Sequence, residues 1–215
     1  SGLPWLADFR DPMCQDDYPK NKRVWNSFMK VEQRAFKYAA ALTFTSPGAI
    51  AYYRARYPQR PTEDFTLVAN GFDEAAFTAL QRNERVRTGS EPLIFLHSGL
   101  LYPWERDPQP FFEALAELTA AQFFTRFPSK FIFRGCGHED YFKPIIARLG
   151  IERLVDLQPA SPYAEALHEI CVANGLLLFQ AANSNFQIPA KTYEYLRAGK
   201  PILGLLDQAG DSASL

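Results

Sequence analysis

No apolar run in this 215-residue chain reaches the ~18 residues of a membrane span, and no signal peptide opens it. Cysteine is scarce. Cys14, Cys136 and Cys171 are odd in number, widely spaced and without a CxxC, which excludes a disulfide framework and a cysteine zinc site. His97, Cys136 and His138 match no metal-ligand motif and are read as polar turn residues, so no metal is expected. Three unpaired thiols suit a reducing, cytoplasmic setting. There is no basic excess: 23 Lys+Arg stand against 24 Asp+Glu, so nucleic acid is not an expected partner. Neither GxGxxG nor GxxxxGK[ST] occurs, which counts against a dinucleotide dehydrogenase and a P-loop NTPase.

What is present is a globular composition, 47% hydrophobic and 14% aromatic, with enough apolar area for a core. Ser1-Gly2 before Leu3 without an initiator Met, and an end soon after the apolar run 201–206, read as an internal fragment of a longer protein.

The second half alternates strand-like runs at 93–98, 131–134, 155–157, 176–179 and 202–205 with helical spacing at 108–127, 138–149, 163–173 and 189–198. Short buried strands between helices predict an α/β, doubly wound parallel sheet. The first half repeats the theme with strands at 5–9, 41–45 and 65–69 and a helix over 23–39, where Val24, Phe28, Val31 and Ala35 share one face. A second helix starts after the Ser46-Pro47 cap. Residues 73–91, charged and containing Gly89-Ser90, read as a linker, which divides the chain into 1–72, 73–91 and 92–215.

Three segments carry candidate chemistry. His97-Ser98-Gly99 and Arg134-Gly135-Cys136-Gly137 each place a strand's carboxyl end against a small-residue loop, where an α/β sheet binds ligands and where ordinary turns also need glycine. The third segment, Gln187-Ile188-Pro189-Ala190-Lys191-Thr192-Tyr193-Glu194, opens a helix. Its free amides and Lys191 face an anion, and Glu194, one turn on, is placed to accept the hydroxyls of a ribose. The plain alternative is a solvated helix start with Lys191 and Glu194 as an i,i+3 pair. Arg10 and Asp11 end a strand, either facing a cleft or pairing with each other. The stretch Lys20–Lys37 holds six basic residues and one acidic residue around Trp25, Phe28 and Phe36, and is either a solvated face over a core or a surface for anionic lipid.

The run from Ile188 to Leu203, with Lys191 and Glu194 inside it, resembles the nucleotide-sugar segment of GT-B glycosyltransferases, and more narrowly the retaining family 4 enzymes of bacterial surface polysaccharides. Asn70-Gly71-Phe72-Asp73, His97-Ser98-Gly99 with Arg106-Asp107-Pro108, and Phe133-Arg134-Gly135-Cys136-Gly137 resemble further pieces of that family, in the family's order. The resemblance implies a GT-B-like chain. Its second part is one nearly complete Rossmann-like donor domain, and its first is part of the acceptor domain. It implies that Glu194 binds the donor ribose, and that Ser98, Gly99, Arg106, Gly135, Gln187, Ile188, Pro189 and Lys191 line the nucleotide-sugar site. Arg106 is then the candidate for stabilising the departing diphosphate.

The implied reaction moves a sugar from a UDP- or GDP-type donor to the hydroxyl of a sugar or lipid-linked sugar, with the nucleotide-sugar as substrate and no cofactor. It would run in the cytoplasm or at the inner membrane face, with peripheral membrane contact, and a fragment is expected to be inactive alone. A sugar-nucleotide epimerase and a non-catalytic binding domain are the alternatives. The sequence departs from the family at Phe186, where the first of two glutamates eight residues apart is usual, with Asn185 or Gln187 left to replace it. It departs again near Leu100, where a basic residue is usual.

Overall fold

The computed structural model describes residues 3–16, 18–80 and 91–215. Ser1-Gly2 and the Gly89-Ser90 part of the expected linker lie outside the described residues. The chain forms two compact units: the first runs to Asn70 and adds Ser184–Pro189 and Gln208–Leu215, and the second holds Gly71–Asn183 and Ala190–Asp207. The later half thus returns two segments to the first unit, which a division read along the chain does not anticipate.

In the first unit β1 (Leu6–Phe9), β2 (Ala41–Phe44) and β3 (Phe65–Leu67) form a parallel sheet in that order. Helix α1 (Lys22–Tyr38) starts where the Asn21 side chain accepts from the amides of Arg23 and Val24. Helix α2 (Pro47–Arg56) starts at Ser46, whose hydroxyl accepts from Ala49 N, with Pro47 at the position that needs no donor. The core is aromatic: Phe9, Phe36, Phe44, Tyr53 and Phe65 are all buried, and Phe36 stacks on Tyr57 with centroids 3.9 Å apart. Each such ring contributes roughly 1.5–3 kcal/mol on burial.

The inward face of α1 differs from the expected one. Ala35 is buried, but Val24, Phe28 and Val31 are exposed, and Glu32 and Phe36 turn inward instead. The reason is a polar core contact. Glu32, with 0% exposure, receives Arg56 Nη1 at 3.0 Å and Tyr57 OH at 2.7 Å on Oε1, and Tyr53 OH at 3.3 Å on Oε2.

The returning segments are tied to α2. Phe186 stacks on Tyr52, 4.8 Å apart and 6° from parallel, and its carbonyl accepts from Ser46 Oγ at 2.7 Å. Asp211 Oδ2 accepts from Gly48 N at 2.7 Å, an anion at a helix N-terminus.

In the second unit β4 (Leu93–Ser98), β5 (Ser129–Arg134), β6 (Val155–Gln158), β7 (Gly175–Phe179) and β8 (Ile202–Leu205) form a parallel sheet ordered β6-β5-β4-β7-β8. The order reverses between β4 and β7, the topological switch point at which such sheets bind ligands. β7 is buried at all five positions, as its unbroken Gly-Leu-Leu-Leu-Phe requires. Helices α4 (Gln109–Ala120), α5 (Phe123–Arg126), α6 (Glu139–Arg148), α7 (Tyr163–Val172) and α8 (Ala190–Ala198) connect the strands. The helix expected over 108–127 breaks at Gln122, which is left-handed at φ 57°. Within the expected linker, Glu74–Leu80 form helix α3, whose Phe77 is 1% exposed and packs in one cluster with Leu96, Leu167, Leu176 and Tyr195. Its Glu74 pairs with Arg197 of α8 at 2.6 Å.

Candidate functional site

The switch point is built from the end of β4 and the first turns of α8. Ser98, the last residue of β4, is held from both sides of its backbone. Its amide donates to Tyr195 OH at 3.0 Å, and its carbonyl accepts from Lys191 Nζ at 2.6 Å. Gly99 follows at φ 106°, a conformation that favours glycine, and a Cβ there would lie 2.9 Å from Lys191 Nζ and push the ammonium aside. Its amide donates to Arg134 O at 2.9 Å, which ties this loop to the end of β5.

Lys191 lies here, and the charge of Arg106 acts on it. Burial, with Arg106 as the second cause and Glu194 opposing, lowers the Lys191 ammonium to about 8. Arg106 keeps a buried Nε without a hydrogen-bond partner among the described residues. A buried guanidinium nitrogen with no acceptor, beside an ammonium whose charge is disfavoured, is an arrangement that an anion completes. Glu194, one turn along α8, accepts from Tyr163 OH at 2.9 Å on Oε1.

His97 is not a turn residue. It lies in β4, 1% exposed, with Nδ1 2.9 Å from Leu177 O and Nε2 3.0 Å from Gly99 O. Burial, then Lys191, lowers its pKa to about 3 against the two carbonyls that favour the charged ring, and as the neutral ring it donates to only one of them. Cys136 is buried too, and burial pushes its thiol up to about 11. Among the described residues no three His, Cys, Asp or Glu side chains group to hold a metal ion.

The second unit thus brings together Ser98, Gly99, Arg106, Lys191 and Glu194. Gly135 sits at the end of β5 with φ 59°, and a Cβ there would lie 3.2 Å from Ala160 Cα. Its neighbour Arg134 is occupied structurally, by Glu169, by Gln158 and by Pro159 O at 2.9 Å. Gln187, Ile188 and Pro189 belong to the first unit. There Gln187 O accepts from Ser212 Oγ at 3.3 Å and Ile188 O accepts from Asn70 Nδ2 at 3.1 Å. Arg10 turns to Asn70 rather than to Asp11. Sequence reasoning missed Tyr195 and Tyr163. The signal for Tyr163 was its place straight after Pro162, at the carboxyl side of a strand.

No family profile matches the chain, and no curated protein does. Solved structures do. HepE of Anabaena in complex with UDP-glucose superimposes with TM-score 0.63 at 17% identity, over 94% of this chain and 53% of that one. WaaG, a glycosyltransferase involved in lipopolysaccharide biosynthesis, gives 0.65 at 16%, over 94% and 57%. A UDP-forming α,α-trehalose-phosphate synthase from Burkholderia vietnamiensis gives 0.65 at 10%, over 98% and 54%. The chain spans about half the length of these proteins. With strand order, switch point and these likenesses together, the chain has the α/β fold of the GT-B glycosyltransferases.

Proposed function

We propose that the chain is the nucleotide-sugar-binding part of a glycosyltransferase that moves a sugar from a UDP- or GDP-type donor to an acceptor hydroxyl, with retention. The observation that carries this reading is Lys191 held against the Gly99 loop at the switch point, with the charge of Arg106 acting on it and Glu194 one turn further on. The cations take up the charge of the departing diphosphate, so the reaction needs no metal. Glu194 accepts the ribose hydroxyls. HepE, bound to UDP-glucose, supports a UDP-sugar as donor.

The acceptor is a sugar or lipid-linked sugar of a surface polysaccharide, a reading favoured by the likeness to WaaG. The outer side of α1 supports peripheral contact with the inner face of an anionic membrane. Exposed Val24, Phe28 and Val31 run beside Lys22, Arg23, Lys30, Arg34 and Lys37, a basic and apolar pairing suited to a headgroup layer. A second reading, nucleotide binding without turnover, draws on Phe186, whose ring is committed to Tyr52 where the family resemblance places a carboxylate.

Calorimetric titration with UDP, GDP and ADP tests the proposal. Saturable binding of one of them is expected, weakened at least tenfold, about 1.4 kcal/mol, by Lys191→Ala. A folded chain that binds none of the three overturns it.

A further inference from the structure

Resting on the nucleotide reading above, we propose that Tyr163 positions Glu194 for the vicinal hydroxyls of a ribose, so that the site distinguishes ribonucleoside from deoxyribonucleoside diphosphates. Tyr163 is the first residue of α7 and Glu194 lies on α8, and the 2.9 Å hydrogen bond from the phenol to Oε1 joins the two helices at the site. α7 is anchored by buried Leu167 and Ile170 and α8 by buried Tyr195, all in one cluster, so the core holds the two helices side by side, and Tyr163, 53% exposed, reaches Glu194 at the surface between them. Burial and the adjacent carboxylate push the Tyr163 phenol up to about 12, which keeps its proton available for donation.

The chemistry follows from counting lone pairs. An ionised carboxylate offers about four acceptor positions on two oxygens. Tyr163 takes one on Oε1, and Oε2 has no hydrogen bond among the described residues. A half-buried glutamate has several rotatable bonds and would otherwise sample many orientations. A hydrogen bond to Oε1 narrows that sampling and leaves the remaining acceptor positions, those of Oε2 among them, for two adjacent O–H donors. A site arranged for a hydroxyl discriminates strongly against the analogue that lacks it, because its acceptor is left unpaired.

The test is calorimetric titration of the chain and of Tyr163→Phe with the tightest-binding of UDP, GDP and ADP and with its 2′-deoxy counterpart. The wild-type chain is expected to prefer the ribonucleotide by about tenfold or more, and Tyr163→Phe to reduce that ratio below about threefold, mainly by weakening the ribonucleotide. A structural defect would weaken both nucleotides alike and leave the ratio unchanged, and that result overturns the assignment. So does tighter binding of both by Tyr163→Phe, which would make the phenol a blocking group. Absence of binding by the wild-type chain instead removes the nucleotide reading itself, and is distinguishable because no ratio is then obtained.

Discussion

Lys191 Nζ donates to the carbonyl of Ser98 at 2.6 Å, so the candidate anion-binding cation is fastened to the end of the strand it serves. The bond orients the ammonium without neutralising it, and burial leaves its charge marginal. A ligand anion would then raise the affinity of Lys191 for its proton, and proton and anion binding are linked.

The first prediction concerns that linkage. Nucleoside diphosphate affinity falls as pH rises through about 8, because deprotonation removes the charge. The dissociation constant should increase about tenfold between pH 7 and 9. In Lys191→Met it should be weak and nearly flat. The sign for stability is opposite. The folded chain releases this proton near 8 and the unfolded chain near 10.5, so this group makes folding more favourable as pH rises between those values. Titration at four pH values, with matched urea unfolding, checks both signs.

The Gly99 turn gives the second prediction. Alanine there is opposed by φ 106° and by Lys191 Nζ at 2.9 Å, so Gly99→Ala should cost about 1–3 kcal/mol and weaken nucleotide binding together. Gly71, with nothing within 4 Å of its would-be Cβ, is the control, and Gly71→Ala should stay within about 0.5 kcal/mol of wild type. Equal effects of the two substitutions would contradict the argument.

Strands were legible because each is a short run whose chemistry suits a pleated, buried surface, and the strand read over 93–98 coincides with β4. The approach of Lys191 and Glu194 to one helix turn was legible because it needs only the period of a helix. Tertiary pairing was not. The pattern on α1 counted Val24, Phe28 and Val31 as inward, since nothing local announces that Arg56, Tyr53 and Tyr57 arrive to accommodate Glu32. Tyr163 and Glu194 are 31 positions apart and meet only because the sheet order brings α7 beside α8. Phe186 was visible as a departure, but its reason, the ring of Tyr52, lies in the other half of the sequence.

Glu32 supplies the third prediction. Removing the carboxylate leaves Arg56, whose side chain is 21% exposed, without its ionic partner, leaves the Tyr53 phenol without an acceptor, and leaves Tyr57 OH with only the weak Met29 Sδ acceptor at 3.9 Å. Glu32→Ala should destabilise the first unit by about 3–5 kcal/mol, the range for breaking a buried pair. Glu32→Gln keeps an acceptor oxygen and should cost less. Guanidinium unfolding of the two variants gives the order, and a larger loss for glutamine would refute the hydrogen-bond account.

The last prediction follows from His97. Its imidazole is neutral in the folded chain down to about 3 and protonates near 6.5 once unfolded. The folded pKa is the lower one, so the unfolded chain binds the extra proton and stability is lost as pH falls through that window. The limiting slope is about 1.4 kcal/mol per pH unit, so this one residue accounts for about 2–3 kcal/mol between pH 6.5 and 4.5. His97→Gln keeps side-chain hydrogen-bonding capacity near Leu177 O and Gly99 O but does not titrate. It should be less stable than wild type at pH 7, and its stability should decline less steeply toward pH 4.5, so that the two unfolding curves converge. Parallel decline in both proteins would mean that carboxylates, not His97, govern the acid limb.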